Sequence, residues 1–465
     1  MKKLPSKKIA SLIIFVILLI LLPFSVNLVK KVQYFLGQAL GEKANIIVNV
    51  SVDQGPLNPI WQALAQGGEE KSPFESVIPE ISALRPKYIR LDHIYDFYEV
   101  VKKQDGQLIF NWNELDKIVD QILRTGATPF FSLSYMPPAM AKNGDITSKP
   151  NDWNEWSTVV RETIQHYSGK NGRNLKNVAY EVWNEPDLFG QWKMGGEKDY
   201  RLLYQYAVLG ANQVKNTNPF KIGGPGITAP YKAWVDGFLD YVSKNKLRVD
   251  FYSWHRYATA PEKFLNDINK VDSWLFQNAG FTLEKYLTEW GSVSENSPYH
   301  DGNFDAAHLV ASVRQLVGRV DLAFIFEIKD GLSPEGKKYW GRWGLLTHEK
   351  AGIVEKKPKY WALSLLNRMT GTRIELEGEG DWVSGFAVKD GSKTKIILVN
   401  LDERGQNFEN VPLTIKNLEN GGYVYQETFL TGPGKKNNED ITDNTLKKEI
   451  PLSANNIVVI ELAKT

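Results

Sequence analysis

The stretch Val178-Ala-Tyr-Glu-Val-Trp-Asn-Glu-Pro-Asp187 decides how the rest of the chain is read. Its first six residues form an apolar, aromatic run of strand character, and Pro186 stops that run and turns the chain. An amide, Asn184, and a carboxylate, Glu185, stand where the strand gives out. About a hundred residues on, Tyr286-Leu-Thr-Glu-Trp-Gly291 repeats the arrangement, with an apolar run ending on Glu289 and Trp290.

Working outward from these two segments, short apolar runs alternate with helical patterns. The strand candidates are residues 46–52, 88–92, 129–134, 178–183, 221–224, 250–255, 285–289 and 322–327. Their spacing of roughly 30 to 50 residues is that of strand-plus-helix units closing into an eight-fold barrel. Between them, Ser72-Pro-Phe-Glu75 offers a capping box, and Asn113 can cap the next helix. In that helix Leu115, Ile118, Val119, Ile122 and Leu123 form one apolar stripe ended by Gly126. Residues 200–214, 233–242, 304–317 and 359–366 carry the same helical period. Glu185 would close the fourth unit and Glu289 the seventh, so barrel closure brings both to the C-terminal face, where such folds gather reactive groups.

Beyond about residue 370 the helical period disappears. Alternating or apolar runs at 373–377, 382–389, 394–400, 423–430 and 457–462 are separated by turn clusters such as Asp390-Gly391 and Gly432-Pro-Gly434. The expectation is therefore an α/β fold: a (β/α)8 TIM barrel over 45–369 and a C-terminal antiparallel β-sandwich over 370–465. Gly223-Gly-Pro-Gly226 is read as a barrel turn.

The N-terminus adds a third feature. Residues 1–8 carry four Lys, and 9–29 then run without a charge before Lys30 and Lys31. As a helix that run spans about 31 Å, close to a bilayer's hydrocarbon thickness. The excess of leading lysines places the N-terminus inside. The reading is a transmembrane signal anchor at 9–29 behind a basic cytoplasmic tail, with a linker at 30–44. The chain is then single-pass in the cell membrane with its bulk extracytoplasmic; secretion after signal cleavage is the alternative.

Composition narrows the chemistry. A formal net charge of +2 in 465 residues gives no argument for a nucleic-acid partner. Zero Cys excludes thiolate chemistry, and the six His include no His-Glu-x-x-His, so no metal site is expected. Most of the 14 Trp, 20 Tyr and 21 Phe are read as core packing, and a large minority beside the strand ends suits stacking on sugar faces, with carbohydrate as the partner. Two converging carboxylates are the minimal equipment for breaking a glycosidic bond. An ionised Glu289 close by would favour the protonated form of Glu185, suiting it as acid and then base. Glu289 would be the nucleophile, with His255, Tyr257 or Arg90 donating to it and Asn184 bound to the sugar 2-hydroxyl. His93 joins Arg90 as a candidate lining residue, and Trp290, Trp340 and Trp343 are candidate sugar platforms. Tyr135 and Met136 shape the wall. Glu181, four residues before Glu185, is read as a deeper polar layer. No cofactor is required.

The strings Glu181-Val-Trp-Asn-Glu-Pro-Asp187 and Leu287-Thr-Glu-Trp-Gly291 resemble the acid/base and nucleophile motifs of clan A glycoside hydrolases, most closely family 39. Tyr88-Ile-Arg-Leu-Asp-His93, Phe131-Ser-Leu-Ser-Tyr-Met-Pro137, Asp250-Phe-Tyr-Ser-Trp-His-Arg-Tyr257, Phe326-Glu-Ile-Lys-Asp330 and Lys357-Pro-Lys-Tyr-Trp361 match as well. The resemblance implies a retaining double displacement with Glu185 as acid/base and Glu289 as nucleophile. It also implies His255 and Tyr257 near the subsite for the cleaved sugar. Two departures stand out: no Trp ends the eighth strand, so Trp340 or Trp343 would replace it, and Gly291 stands where xylosidase-like members often carry Asn. The rival readings are a carbohydrate-binding or scaffold protein without turnover and a transglycosylase.

Overall fold

The computed structural model describes residues 41–68, 70–278 and 282–465. The predicted membrane span at 9–29 lies outside them. Among the described residues, no helix is long and apolar enough to cross a membrane.

Eight parallel strands close into a barrel: Ala63–Gln66, Tyr88–Leu91, Thr128–Ser132, Ala179–Glu181, Lys221–Ile227, Phe251–Tyr257, Glu284–Gly291 and Leu322–Phe326. Each is followed by a helix, from Ile78–Ala83 after the first to Pro358–Leu366 after the last. Strand residues alternate between two environments, as the two-residue period demands. Ile89, Leu91, Tyr180, Val182 and Trp254 point outward to the helices. Phe130, Phe251, Tyr286 and Phe324 fill the interior, with Phe130 and Phe324 ring centroids 4.7 Å apart. The stripe on Asn113–Arg124 is buried at Leu115, Ile118, Val119 and Ile122, whereas Leu123 is exposed. Gly126 follows with φ +89°, which suits glycine at a helix C-terminus.

Local starts differ from expectation. The helix after the first barrel strand begins at Ile78, with Pro79 in its first turn, so Ser72–Glu75 is not its cap. Asn113 is the first helical residue, and its N–H donates to Asn111 Oδ1 at 3.1 Å.

The larger correction concerns the first strand. Residues 46–52 are a strand, Ile46–Pro56, but it lies outside the barrel: it pairs antiparallel with Thr372–Glu377 and parallel with Phe408–Lys416. Ile46, Val48 and Val50 are buried while Ile47 and Asn49 are half-buried, the pattern of a strand with one face on a core. The barrel's first strand is Ala63–Gln66, four residues buried throughout. The C-terminal unit is one nine-stranded sheet that includes this N-terminal strand. It is mixed rather than purely antiparallel. Strands absent from the sequence reading, Lys435–Ile441 and Thr445–Ser453, complete it together with Phe408–Lys416. The sheet folds over a core in which Ile46, Val48, Ile396, Leu398, Leu413, Ile450, Val458 and Ile460 meet. Its other face, through Ile397, Val399, Ile457 and Val459, joins the main core of the barrel.

Candidate active site

A cavity of about 610 Å³ opens at the C-terminal ends of the barrel strands. It is lined by His93, Asn184, Glu185, Tyr257, Glu289 and Trp343 among the residues expected there. Two others, Arg90 and His255, are fully buried beneath it.

The strand period explains the layering. Inward positions near the strand ends carry Arg90, Glu181, His255 and Glu289. Arg90 donates through Nε and Nη2 to Glu181 Oε2 at 2.9 and 2.8 Å, and through Nη2 to Asn184 Oδ1 at 2.7 Å. Its Nη1 lies 3.7 Å from Glu289 Oε2. The Asn184 amide is thereby fixed, and its Nδ2 donates to the Tyr135 hydroxyl at 3.0 Å. Glu181 is the polar layer under the site. The Gly223–Gly226 segment, expected to be a turn, lies within the strand Lys221–Ile227. It leaves room for this layer: a Cβ on Gly226, whose φ is +61°, would stand 3.0 Å from the Glu181 carboxyl.

Glu185 sits four residues beyond its strand, with φ +45°, and Trp183 has φ +76°. Side chains rarely adopt such backbone angles, and structures keep them only where neighbours hold them. Here the Glu185 N–H donates to Gly226 O at 2.9 Å and Trp183 Nε1 donates to Phe189 O at 3.0 Å. The conformation turns the Glu185 carboxylate over the barrel mouth, where His255 Nδ1 meets its Oε1 at 2.9 Å. Glu289 is paired in register with His255 beside an irregularity in the ladder, and such bulges re-aim side chains. The Tyr257 hydroxyl donates to Glu289 Oε1 at 2.5 Å. One ring nitrogen of His255 and one oxygen each of Glu185 and Glu289 lie within 4.8 Å of one another.

Burial and the Glu185 carboxylate push Glu289 above its ordinary range; His255, Arg90 and the Tyr257 hydroxyl pull it back without cancelling the effect. Burial alone would lower His255, but Glu289 and Glu185 outweigh it and raise it. Three acidic side chains close to Asn184, Glu185 or Glu289 were not singled out from sequence. Asp92 lines the cavity, and burial raises it. Asp187 accepts from Thr228 N at 3.1 Å. Glu327, at the end of the eighth strand, accepts from Gln66 Nε2 at 3.0 Å; burial, Asp330 and Glu289 hold it well above the usual carboxylate range.

Trp290 is not a platform. With Glu289 turned inward, the next residue must point outward, and Trp290 packs against Phe264 behind the barrel with ring centroids 5.5 Å apart. Trp340 does not line the cavity; its Nε1 donates to Gly331 O at 3.2 Å. Trp343 does line it, leaning on Phe326 at 5.3 Å and covered by the Arg342 guanidinium at 3.8 Å. The apolar Leu188, Phe189 and Tyr231 also line it, in loops that carried no sequence signal.

Among the described residues, two groups have the geometry to hold a cation: Glu185, His255 and Glu289, and the trio Glu70, His348 and Glu349. Both already face a cationic side chain, Arg90 in the first and Lys329 in the second. The Lys329 ammonium pairs with Glu70 and lies 2.8 Å from Glu349.

A closed parallel barrel with two carboxyl groups facing each other across a cavity is the equipment of a glycosidase acting on O-glycosyl compounds. The chain belongs to glycosyl hydrolases family 39, whose model matches residues 79–422. It is 29% identical over 357 residues to a beta-xylosidase of Caldicellulosiruptor saccharolyticus, covering 70% of this chain and 71% of that one. Its fold is similar to that of a GH39 enzyme from Xanthomonas axonopodis pv. citri, with a TM-score of 0.76, 19% identity and 92% and 99% of the two chains covered. It is similar too to that of a monomeric beta-xylosidase from Caulobacter crescentus CB15, with a TM-score of 0.77, 22% identity and 90% and 99% covered.

Proposed function

We propose that this glycoside hydrolase works by retention, with Glu185 as acid/base and Glu289 as nucleophile. The observation that carries the reading is the 4.8 Å limit within which oxygens of the two carboxyl groups and a nitrogen of His255 fall. Retaining enzymes hold their carboxyl groups about 5–5.5 Å apart, whereas inversion needs about 6.5–9.5 Å to admit water between acid and base. In the first step Glu289 attacks the anomeric carbon, the bond to the leaving oxygen breaks, and the Glu185 proton passes to that oxygen. In the second, Glu185 takes a proton from water, whose oxygen displaces Glu289. Tyr257 and Arg90 favour the ionised nucleophile against the burial that opposes it. His255 orients Glu185 through Nδ1, and Asn184, locked by Arg90, is the group offered to the 2-hydroxyl.

The glycone we propose is a β-linked pentopyranose, by similarity to the Caldicellulosiruptor beta-xylosidase. We also propose that residues 9–29 anchor the chain in the membrane with the barrel extracytoplasmic. Protease accessibility on intact cells tests that placement; a barrel protected until lysis would reverse it.

A panel of p-nitrophenyl glycosides tests the chemistry. Glu289→Ala should abolish turnover. Glu185→Ala should retain it for nitrophenyl leaving groups, which need little protonation, and azide should restore rate by forming a glycosyl azide of retained configuration. A product of inverted configuration from the wild type would refute the mechanism.

A further inference from the structure

The two sides of the cavity differ in chemistry. The side built by the first three strand ends is polar and enclosed, with Asp92, His93 and Tyr135 gathered around Asn184. The side built by the loops after strands four and five is apolar and open. There Leu188, Phe189 and Tyr231 are 57%, 41% and 47% exposed, and Ala229 lines the cavity with them. Exposed apolar groups that adjoin one another in a cleft mark a surface meant to be covered.

The polar groups on this open side are already engaged with each other. Thr228 donates to Asp187 through both N–H and hydroxyl, and its Oγ1 lies 3.3 Å from the Tyr231 hydroxyl. The neighbouring Arg256 is paired with Asp267. The wall of Leu188, Phe189, Ala229 and Tyr231 therefore offers more apolar area than free hydrogen-bonding groups.

The wall is also fixed to the acid. The N–H groups of Leu188 and Phe189 both donate to Glu185 O, at 2.9 and 2.7 Å. The Phe189 ring meets Tyr135 edge-on with centroids 5.7 Å apart. Glu185, Leu188 and Phe189 thus belong to one hydrogen-bonded turn.

We propose that Leu188, Phe189, Ala229 and Tyr231 form the leaving-group subsite, shaped for an aryl or alkyl aglycone. The inference rests on the reading of Glu185 as the acid, since the group it protonates must lie on its side of the bond. The aglycone departs as the neutral alcohol once Glu185 gives up its proton and Glu289 has bonded to the anomeric carbon.

The test compares kcat/KM for benzyl and methyl β-D-xyloside, whose alcohols have nearly equal acidity, and for xylobiose. Wild type should prefer the benzyl compound over both others by about tenfold or more. In Leu188→Ser/Phe189→Ser, and separately in Tyr231→Ser, the benzyl-to-methyl ratio should fall toward unity. A ratio is blind to the folded fraction of a preparation, so poor folding cannot mimic this result. Equal rates on benzyl and methyl xyloside, or variants that lose xylobiose turnover selectively, would overturn the aryl or alkyl assignment alone. Absence of Glu289-dependent turnover on every p-nitrophenyl glycoside would instead overturn the underlying mechanism, and the subsite with it.

Discussion

Replacing Arg90 by Met separates the two tasks of the buried guanidinium. Arg90 is 1% exposed and makes three charge-assisted hydrogen bonds, two to Glu181 and one to Asn184. Met fills comparable volume but leaves the Glu181 carboxylate fully buried beside an apolar chain; its Oε1 has no hydrogen-bond partner among the described residues even with Arg90 present. Breaking a buried pair from one side costs about 3–5 kcal/mol. Guanidinium chloride titration followed by tryptophan fluorescence should therefore show a loss of that order for Arg90→Met. The double variant Arg90→Met/Glu181→Gln leaves no orphaned charge at residue 181 and should recover about half of it, because the penalty lies in the unpaired ion rather than in the lost pair. Activity carries an independent readout. The guanidinium favours the ionised form of Glu289, so its removal raises the pH at which Glu289 loses its proton. The acidic limb of kcat/KM then moves to higher pH. A loss below about 1 kcal/mol for Arg90→Met, or a double variant no better than the single, would refute the claim that removing Arg90 strands an uncompensated charge on Glu181.

Other consequences follow from the same geometry. Tyr257→Phe removes one hydrogen bond to a carboxylate, worth about 1.5–3 kcal/mol; kcat/KM should drop about tenfold to a hundredfold with its acidic limb shifted upward. Burial leaves Glu289 with a raised folded-state pKa, so its contribution to stability is present below the ordinary glutamate range and lost as pH rises through the raised value. Glu289→Gln, which cannot ionise, should thus melt above wild type at pH 7, with the difference closing below about pH 4; an equal gap at both pH values would count against it. Gly226→Ala, with its Cβ pressed on the Glu181 carboxyl and φ positive, should lower the free energy of unfolding by about 1–2 kcal/mol, measurable by the same titration.

Seven barrel strands were legible because parallel strands buried on both faces read as short, mainly apolar runs between helical patterns. The first was not: Ala63–Gln66 is short and half alanine, a strand only because its neighbours pair with it. Ile46–Val52 carries strong strand character, but which sheet a strand joins depends on partners more than 300 residues away. Glu185 and Glu289 stood out because each follows an apolar run in the sequence, although Glu185 lies four residues past its strand. The alternation that turns Glu289 inward also excludes Trp290, a conflict visible in sequence once the inward residue is chosen. Leu188, Phe189 and Tyr231 gave no such signal. Their direction depends on the left-handed backbone at Glu185 and on the loop after strand five, neither of which has a period.

The membership of Ile46–Pro56 in the C-terminal sheet bears on how the protein is made. This strand leaves the ribosome early, yet the segments that hydrogen-bond to it, Thr372–Glu377 and Phe408–Lys416, are among the last to be synthesised. At about 5–20 residues per second, it waits about 15–65 s with its edges unpaired while the barrel assembles behind it. Nascent chains stalled before residue 372 should therefore be the species most prone to aggregate and most dependent on chaperones. A barrel expressed without the C-terminal strands would carry this hazard permanently.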